Sequence, residues 1–138
     1  MVSGPWTNEE NDLIVADYFA MLVDELAGKP LNKAASYRKL ADRIDRSAKA
    51  IEYKHQNISA VLIEMGVPFI AGYKPLYNYQ RSLLPDAVTD YLRNHPQIQR
   101  VFAEHAAAVP TVPAVEDFLA AWEAPPEPND RIGPAVAE

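Results

Sequence analysis

Residues 46–65 read RSAKAIEYKHQNISAVLIEM, and this stretch decides the fold. Ser47 is a residue type that caps helix N-termini, and Gly66 is a typical helix stop. Between them, one row of residues recurs at steps of four, three, four and three, which places the row on one side of a helix. The row consists of Ile51, His55, Ile58, Leu62 and Met65. The stretch therefore predicts a helix with one buried stripe, in which His55 is a hydrogen-bonded core histidine rather than a ligand.

Two helices are predicted before this one. Thr7 and Glu10 have the spacing of a capping box, in which each side chain bonds the backbone of the other residue. They indicate a first helix from about residue 8 to residue 27, stopped by a glycine and a proline. Asn32 caps a second helix from about residue 33 to residue 44. A short turn then leads into the third helix.

The pattern of apolar residues changes after the third helix. The stretch VPFIAGYKPLYNYQRS has two prolines, a glycine and three tyrosines, which break both the helical and the strand period, so it predicts an ordered aromatic loop. Helical spacing returns near 83–94 and 97–107, and AVEDFLAAWE predicts one more short helix. The end of the chain is rich in proline and acidic residues, which is typical of a disordered tail or a linker to a further domain.

The fold class expected is all-α: a tri-helical helix-turn-helix core, an aromatic loop and two or three additional C-terminal helices. Residues 1–109 form the helical domain, with the core at 6–65, the loop at 67–82 and further helices at 83–107. Residues 110–138 are expected to hold the short helix and the tail.

Composition excludes several classes of protein. The chain has no cysteine, which excludes disulfides and suits a reducing cytoplasm. No signal peptide and no apolar run long enough for a membrane span is evident, so no membrane partner is expected. The three histidines stand alone, without metal-binding spacing, and the five glycines form no phosphate loop. We therefore expect no enzyme, no metal and no cofactor.

Charge is unevenly distributed along the chain. The formal net charge is −6, but residues 29–81 carry ten bases and four acids, between two acidic flanks. Because the local field matters more than the total charge for docking a polyanion, the basic middle favours nucleic acid. The alternative is a solvated basic face without a partner.

The third helix and its surroundings supply the candidate DNA-binding residues. An α-helix fits the major groove and reads base edges from its N-terminal half, while nearby cations bind phosphates. The base-facing candidates are Arg46, Ser47, Lys49, Tyr53, Lys54 and Asn57, and the phosphate-binding candidates are Lys33, Arg38, Lys39 and Arg43. Neutralising about four to six phosphates predicts a log–log salt slope of roughly −4 to −5.

The aromatic loop offers a second candidate site. Its stacking faces and amide edges are the chemistry of a pocket for an unstacked or modified base. The candidate residues are Tyr73, Lys74, Tyr77, Asn78 and Tyr79. The alternative is that the tyrosines pack on the helices and keep their hydroxyls in water.

Two resemblances bear on function. The opening WTNEE, with Leu13 and the Arg46-Ser47 start of the third helix, resembles Myb/SANT-type helix-turn-helix domains. WTNEENDLIVADYFAML, RSAKAIEYKHQNISAVL and GYKPLYNYQ together resemble an N-terminal helical module of bacterial multidomain proteins that carry HNH-nuclease or other restriction-associated C-terminal domains. This resemblance implies double-stranded DNA recognition, including modified DNA, for a restriction or defence protein, with a C-terminal effector domain as partner. The competing hypothesis is a protein–protein interaction adaptor that binds no nucleic acid.

Overall fold

The computed structural model describes residues 4–108, and this part of the chain is all-α, as predicted. Within it are five helices and no strand. The helices are α1 (Asn8–Leu26), α2 (Lys33–Ala41), α3 (Ala48–Met65), α4 (Leu83–Asn94) and α5 (Pro96–Ala108). Nowhere in residues 4–108 is a helix both long and apolar enough to cross a membrane. The short helix and tail predicted beyond residue 109 lie outside the described residues.

Helix α1 begins with the predicted capping box. The Glu10 amide donates to the Thr7 hydroxyl at 3.1 Å, and the Thr7 amide donates to the Glu10 carboxylate at 3.0 Å. Trp6, just before the cap, is buried against the core. The entry of the chain into α1 is therefore fixed by local chemistry on one side and by packing on the other.

Helix α2 is three residues shorter than predicted. It ends at Ala41, and the amides of Arg43 and Ile44 both bond back to the Leu40 carbonyl, at 2.8 and 2.7 Å. This tight turn directs Ile44 into the core, where it is almost fully buried. The predicted cap is confirmed, since the Asn32 side chain accepts from the Ala35 amide at 3.0 Å.

Helix α3 packs against α1 and α4. Ser47 caps it by accepting from the Ala50 amide at 3.0 Å, and Gly66 ends it in the left-handed conformation at φ 73°, both as predicted. The predicted stripe is buried from Ile51 through Leu62, but Met65 is 36% exposed. Burial also extends beyond the stripe, since Lys54, Asn57, Ser59, Ala60 and Val61 are buried as well.

Helices α4 and α5 complete the described part of the fold. Helix α4 packs along α1 and α3, and α5 packs on α1 and α4. Phe19 of α1 stacks on Tyr91 of α4 with a centroid distance of 5.0 Å. Helix α5 begins at Pro96, a residue that is favoured in the first turn because it has no amide hydrogen to satisfy.

Candidate nucleic-acid interface

Three of the residues predicted at a DNA surface are instead buried in the fold: Arg46, Lys54 and Asn57. Arg46, at 2% exposure, donates from Nε and Nη2 to the Glu10 carboxylate at 3.0 and 2.9 Å. It also donates to the backbone carbonyls of Gly4 and Pro5, at 2.7 and 2.9 Å. Its four hydrogen bonds thus go to Glu10 in the first turn of α1 and to the segment before that helix. Arg46 joins this region to the start of α3 rather than presenting a charge outward.

Lys54 lies beneath the same N-terminal segment. Its Nζ lies 5.0 Å from the centre of the Trp6 ring, which also faces the Arg46 guanidinium at 5.0 Å. Nζ is also 3.5 Å from Gln80 Oε1, and the Gln80 amide donates to the Trp6 carbonyl at 3.1 Å. Lys54 is completely buried, so it holds Trp6 and the end of the aromatic loop in place and is not available to a duplex.

Asn57 anchors the aromatic loop along α3. Its side-chain amide donates to the Leu76 carbonyl at 2.6 Å, and the Leu76 amide donates to the Gln56 carbonyl at 3.1 Å. Asn57 is fully buried. Its amide therefore bonds the loop backbone and, contrary to the prediction, is not exposed to contact a base edge.

Three further candidate residues, Ser47, Lys33 and Lys39, already have a partner within the fold. The Ser47 hydroxyl is the cap of α3. Lys33 pairs with Glu52 at 2.8 Å, and Lys39 lies 3.4 Å from Asp17. Both lysines retain solvent exposure, so each could exchange its carboxylate for a phosphate, but only after losing an existing pair.

Arg38, Arg43 and Lys49 differ from the others. All three are exposed, and none forms an ion pair within residues 4–108. They lie on α2, in the turn that follows it and in the first turn of α3. We call these three residues the exposed cations. The structure thus leaves a basic group on α2, the turn after it and the start of α3. This group has fewer members than the sequence predicted, but none of them is in an ion pair within residues 4–108.

One outward row of α3 side chains begins at Lys49, which is one of the exposed cations, and is accessible to solvent. Lys49, Tyr53 and Gln56 follow one another at steps of four and three and are exposed or half-buried. The Lys49 ammonium lies 5.7 Å from the centre of the Tyr53 ring. Gln56 was not among the predicted residues, although its spacing from Lys49 and Tyr53 would have identified it.

The aromatic loop does not bring its five candidate residues into one pocket. Tyr73 and Tyr79 are buried, whereas Tyr77 is 38% exposed and Lys74 is exposed. Burial raises the pKa of both buried tyrosines well above the ordinary value. The Tyr79 hydroxyl donates to Glu64, which raises its pKa further. Two of the three tyrosines thus pack into the protein, as the alternative expects, but the Tyr79 hydroxyl bonds to Glu64 instead of remaining in water.

A buried polar cluster lies behind the loop, where Tyr73 meets His55. Their rings stack at 4.5 Å, with an interplanar angle of 26°. His55 Nε2 lies 3.5 Å from Asp17 Oδ2, and the Ser36 hydroxyl donates to the same oxygen at 2.5 Å. Burial acts to raise the pKa of Asp17, but the contacts with His55, Ser36 and Lys39 outweigh it, and the net pKa is lowered. His55 is thus a core histidine, paired with a carboxylate and a tyrosine ring.

Among residues 4–108, no group of three or more histidine, aspartate or glutamate side chains is arranged to hold a metal ion. No protein-family model, curated protein or solved structure matches the chain. The residues and their geometry are therefore the basis for assigning a function.

Proposed function

We propose that α2, the turn after it and α3 bind double-stranded DNA as the helix-turn-helix part of a restriction or defence protein. The observation that carries this proposal is the set of exposed cations, Arg38, Arg43 and Lys49, which have no carboxylate partner in residues 4–108. Unpaired cations in water are free to replace the counterions of a phosphate backbone, which is the main source of DNA affinity.

The dimensions of α3 support the same function. A helix is about 10–12 Å across, and the major groove of B-DNA is about 12 Å wide. From Lys49 to Gln56 the outward row of α3 spans seven residues, or roughly 10 Å, which is about three base-pair steps of duplex. Lysine contacts guanine and glutamine contacts adenine in the major groove, so the row has side chains suited to base edges.

The buried residues support the proposal indirectly. Arg46 and Lys54 hold the N-terminal segment and Trp6 against the first half of α3. A rigid element holds base-reading side chains more precisely than a mobile one. The buried cations therefore position the helix, and the exposed cations supply the attraction.

Charge reversal tests the proposal. The test variant combines Arg38→Glu, Arg43→Glu and Lys49→Glu, and duplex binding is measured by fluorescence anisotropy. The matched control reverses three other exposed cations, Lys29, Arg93 and Arg100, and so has the same net charge. We expect the test variant to lose at least tenfold more affinity than the control, with both helical by circular dichroism. Equal losses in the two variants, or no binding by the native chain, would overturn the proposal.

Protein interaction is a second candidate function, favoured by one apolar groove. The groove lies between the end of α3, α4 and α5, has a volume of about 510 Å³ and is lined by Met65, Val67, Leu92 and Phe102 among others. Met65 is one of the few large apolar side chains exposed in the described chain. Partner binding that is insensitive to salt and abolished by Met65→Glu would favour this function over the first.

A further inference from the structure

The apolar groove between the end of α3, α4 and α5 matches a later segment of the same chain. Its volume is about 510 Å³, and Met65, Leu92 and Phe102 are among the residues that line it. Met65 is the last residue of the predicted α3 stripe, and it is 36% exposed although the rest of the stripe is buried. A concave apolar surface of this size marks a place where another element binds.

Residues 114–123 read AVEDFLAAWE and lie outside the described residues, but their sequence predicts an amphipathic helix. One row of apolar residues recurs at steps of three, one and three, which places the row on one side of a helix. The row consists of Val115, Phe118, Leu119 and Trp122. A helix of about ten residues is marginal in water by itself, so it needs a surface on which its apolar side can pack.

The segment is attached within reach of the groove. Helix α5 ends at Ala108, and Phe102 lies six residues earlier, or about 9 Å along the helix axis. Residues 109–113 read VPTVP, and five extended residues span at most about 17 Å. A chain that turns back after Ala108 can therefore run antiparallel to α5 and lay the apolar row of the segment over the groove.

The charges of the segment and the groove are complementary. Residues 114–123 carry three acids and no base. Among the described residues that line the groove, Arg93 is the charged one. It pairs with Asp90 at 2.8 Å, and both side chains are well exposed. Because an exposed pair of this kind contributes little to stability, Arg93 can turn to a carboxylate of the segment at little cost.

The end of α5 leaves room for a second helix beside it. Between Phe102 and Ala108, the exposed residues of α5 are mostly alanines. The distance between packed helices depends on the side chains at the contact, and small side chains allow a close approach. The path from the end of α5 back to the groove is therefore free of bulky apolar side chains.

We propose that residues 114–123 form a helix that packs in this groove, with the apolar row against Met65, Leu92 and Phe102. Attachment to the same chain favours this segment over a separate partner, because a short linker gives a tethered group an effective concentration in the millimolar range. The inference is independent of DNA binding. Another protein would reach the groove only by displacing the segment.

Methyl NMR of the full chain tests this arrangement, with methionine as the probe. Met65 lines the groove, whereas Met21 lines a different pocket, between α1 and α2. Leu119→Glu places a carboxylate in the apolar row of the segment. Ala120→Glu adds the same charge on the other side of the predicted helix and is the matched control. Both positions lie outside residues 4–108, so neither substitution changes the described core.

We expect Leu119→Glu to shift the Met65 methyl resonance, because the aromatic rings of Phe118 and Trp122 leave the groove. The Met21 resonance should stay unchanged, and Ala120→Glu should leave both resonances at their native positions. Amide hydrogen exchange gives a second measurement from the side of the segment. Residues 115–122 should exchange roughly tenfold more slowly, or better, in the native chain than in Leu119→Glu.

Four results would each overturn the proposal. A Met65 resonance that does not respond to Leu119→Glu would mean that the segment does not pack in the groove, which then remains available to another protein. Equal shifts in Leu119→Glu and Ala120→Glu would mean that the added charge acts rather than the lost packing. Unprotected amides at 115–122 in the native chain would rule out a packed helix. A Met65 shift that disappears on dilution would assign the groove to the segment of a second copy.

Discussion

Arg46 and Glu10 form a two-pronged ion pair that joins the first turn of α1 to the residue before the cap of α3. Nε and Nη2 of the arginine donate to the two carboxylate oxygens at 3.0 and 2.9 Å, and the arginine side chain is almost fully buried. Glu10 is at the same time the carboxylate of the α1 capping box. One side chain thus fixes the start of α1 and, through Arg46, the start of α3.

Removing Arg46 should destabilise the fold rather than only weaken DNA binding. Arg46→Met removes the arginine donors from the Glu10 carboxylate and from two backbone carbonyls, and breaking one side of a buried ion pair costs about 3–5 kcal/mol. We expect a loss toward the lower end of this range, roughly 3 kcal/mol, because Glu10 keeps some contact with water. Urea denaturation measures the loss.

Lys49→Met is the matched control, since it removes an exposed cation three residues away. Surface substitutions of this kind usually change stability by less than about 0.5 kcal/mol. If Arg46→Met were as stable as Lys49→Met, the buried pair would not have the structural role described here.

Acid should destabilise the protein through two carboxylates. The hydrogen bond from Arg46 is the largest influence on Glu10 and lowers its pKa below the ordinary 4.5. The pKa of Asp17 lies below its ordinary 3.8, because contacts with His55 and Ser36 outweigh the effect of burial. The unfolded chain therefore binds these protons more readily, and stability rises with pH across this range. The stabilisation is complete above the ordinary pKa values and is lost as the pH falls through the folded ones.

Stability measured in urea between pH 6 and pH 3 tests this pH dependence. Asp17→Asn should flatten the fall in stability toward acid, since it removes one of the two groups. Asp12→Asn, at an exposed position of the same helix, is the control and should keep the native slope. An unchanged slope in Asp17→Asn would show that Asp17 titrates alike in the folded and unfolded states.

The Tyr18 hydroxyl should be essential to the start of the aromatic loop. It accepts from the Ile70 amide at 2.8 Å and lies 2.7 Å from the Ser59 hydroxyl, in a fully buried position. Tyr18→Phe keeps the ring but leaves the Ile70 N–H without a partner, at a cost of about 1–3 kcal/mol.

Amide hydrogen exchange measures this effect locally. In Tyr18→Phe the Ile70 amide should exchange faster, because it has lost its acceptor. Tyr53→Phe, which removes the hydroxyl of a half-buried residue on α3, should leave the Ile70 amide protected. Protection of Ile70 in both variants would mean that another acceptor replaces Tyr18.

The parts of the fold that the sequence predicted are those encoded within a few residues. Thr7 and Glu10 are three residues apart, as are Ser47 and the amide it caps, so each cap was readable from the local sequence. The early end of α2 was not readable, because the pattern of apolar residues continues to Ile44. The structure places Ile44 in the core through a turn instead of a further helical residue.

The candidate site was harder to predict, because the burial of its residues depends on partners that are far away in the sequence. Arg46 pairs with a residue 36 positions away, and Asn57 bonds a carbonyl 19 positions away. Lys54 offered one signal, since it lies three residues after Ile51 and four before Ile58, on the side that faces the core. From the sequence alone, a lysine at that position is expected to face solvent. Only the structure shows that Trp6 and Gln80 lie next to its ammonium group.

The salt dependence of DNA binding should reflect the exposed cations only. Each phosphate neutralised contributes about −0.9 to the slope of log affinity against log salt. Arg38, Arg43 and Lys49 therefore predict a slope of roughly −3, shallower than the −4 to −5 expected from four to six neutralised phosphates. Anisotropy titrations across a salt series measure this slope.

Two variants test which residues contribute to the slope. Lys49→Met should reduce the slope by about one. Lys29→Met, on an exposed residue paired with Asp24, should leave the slope unchanged. A native slope near zero would mean that the exposed cations do not contact phosphates, and any binding would then have to come from apolar surfaces such as the groove at Met65.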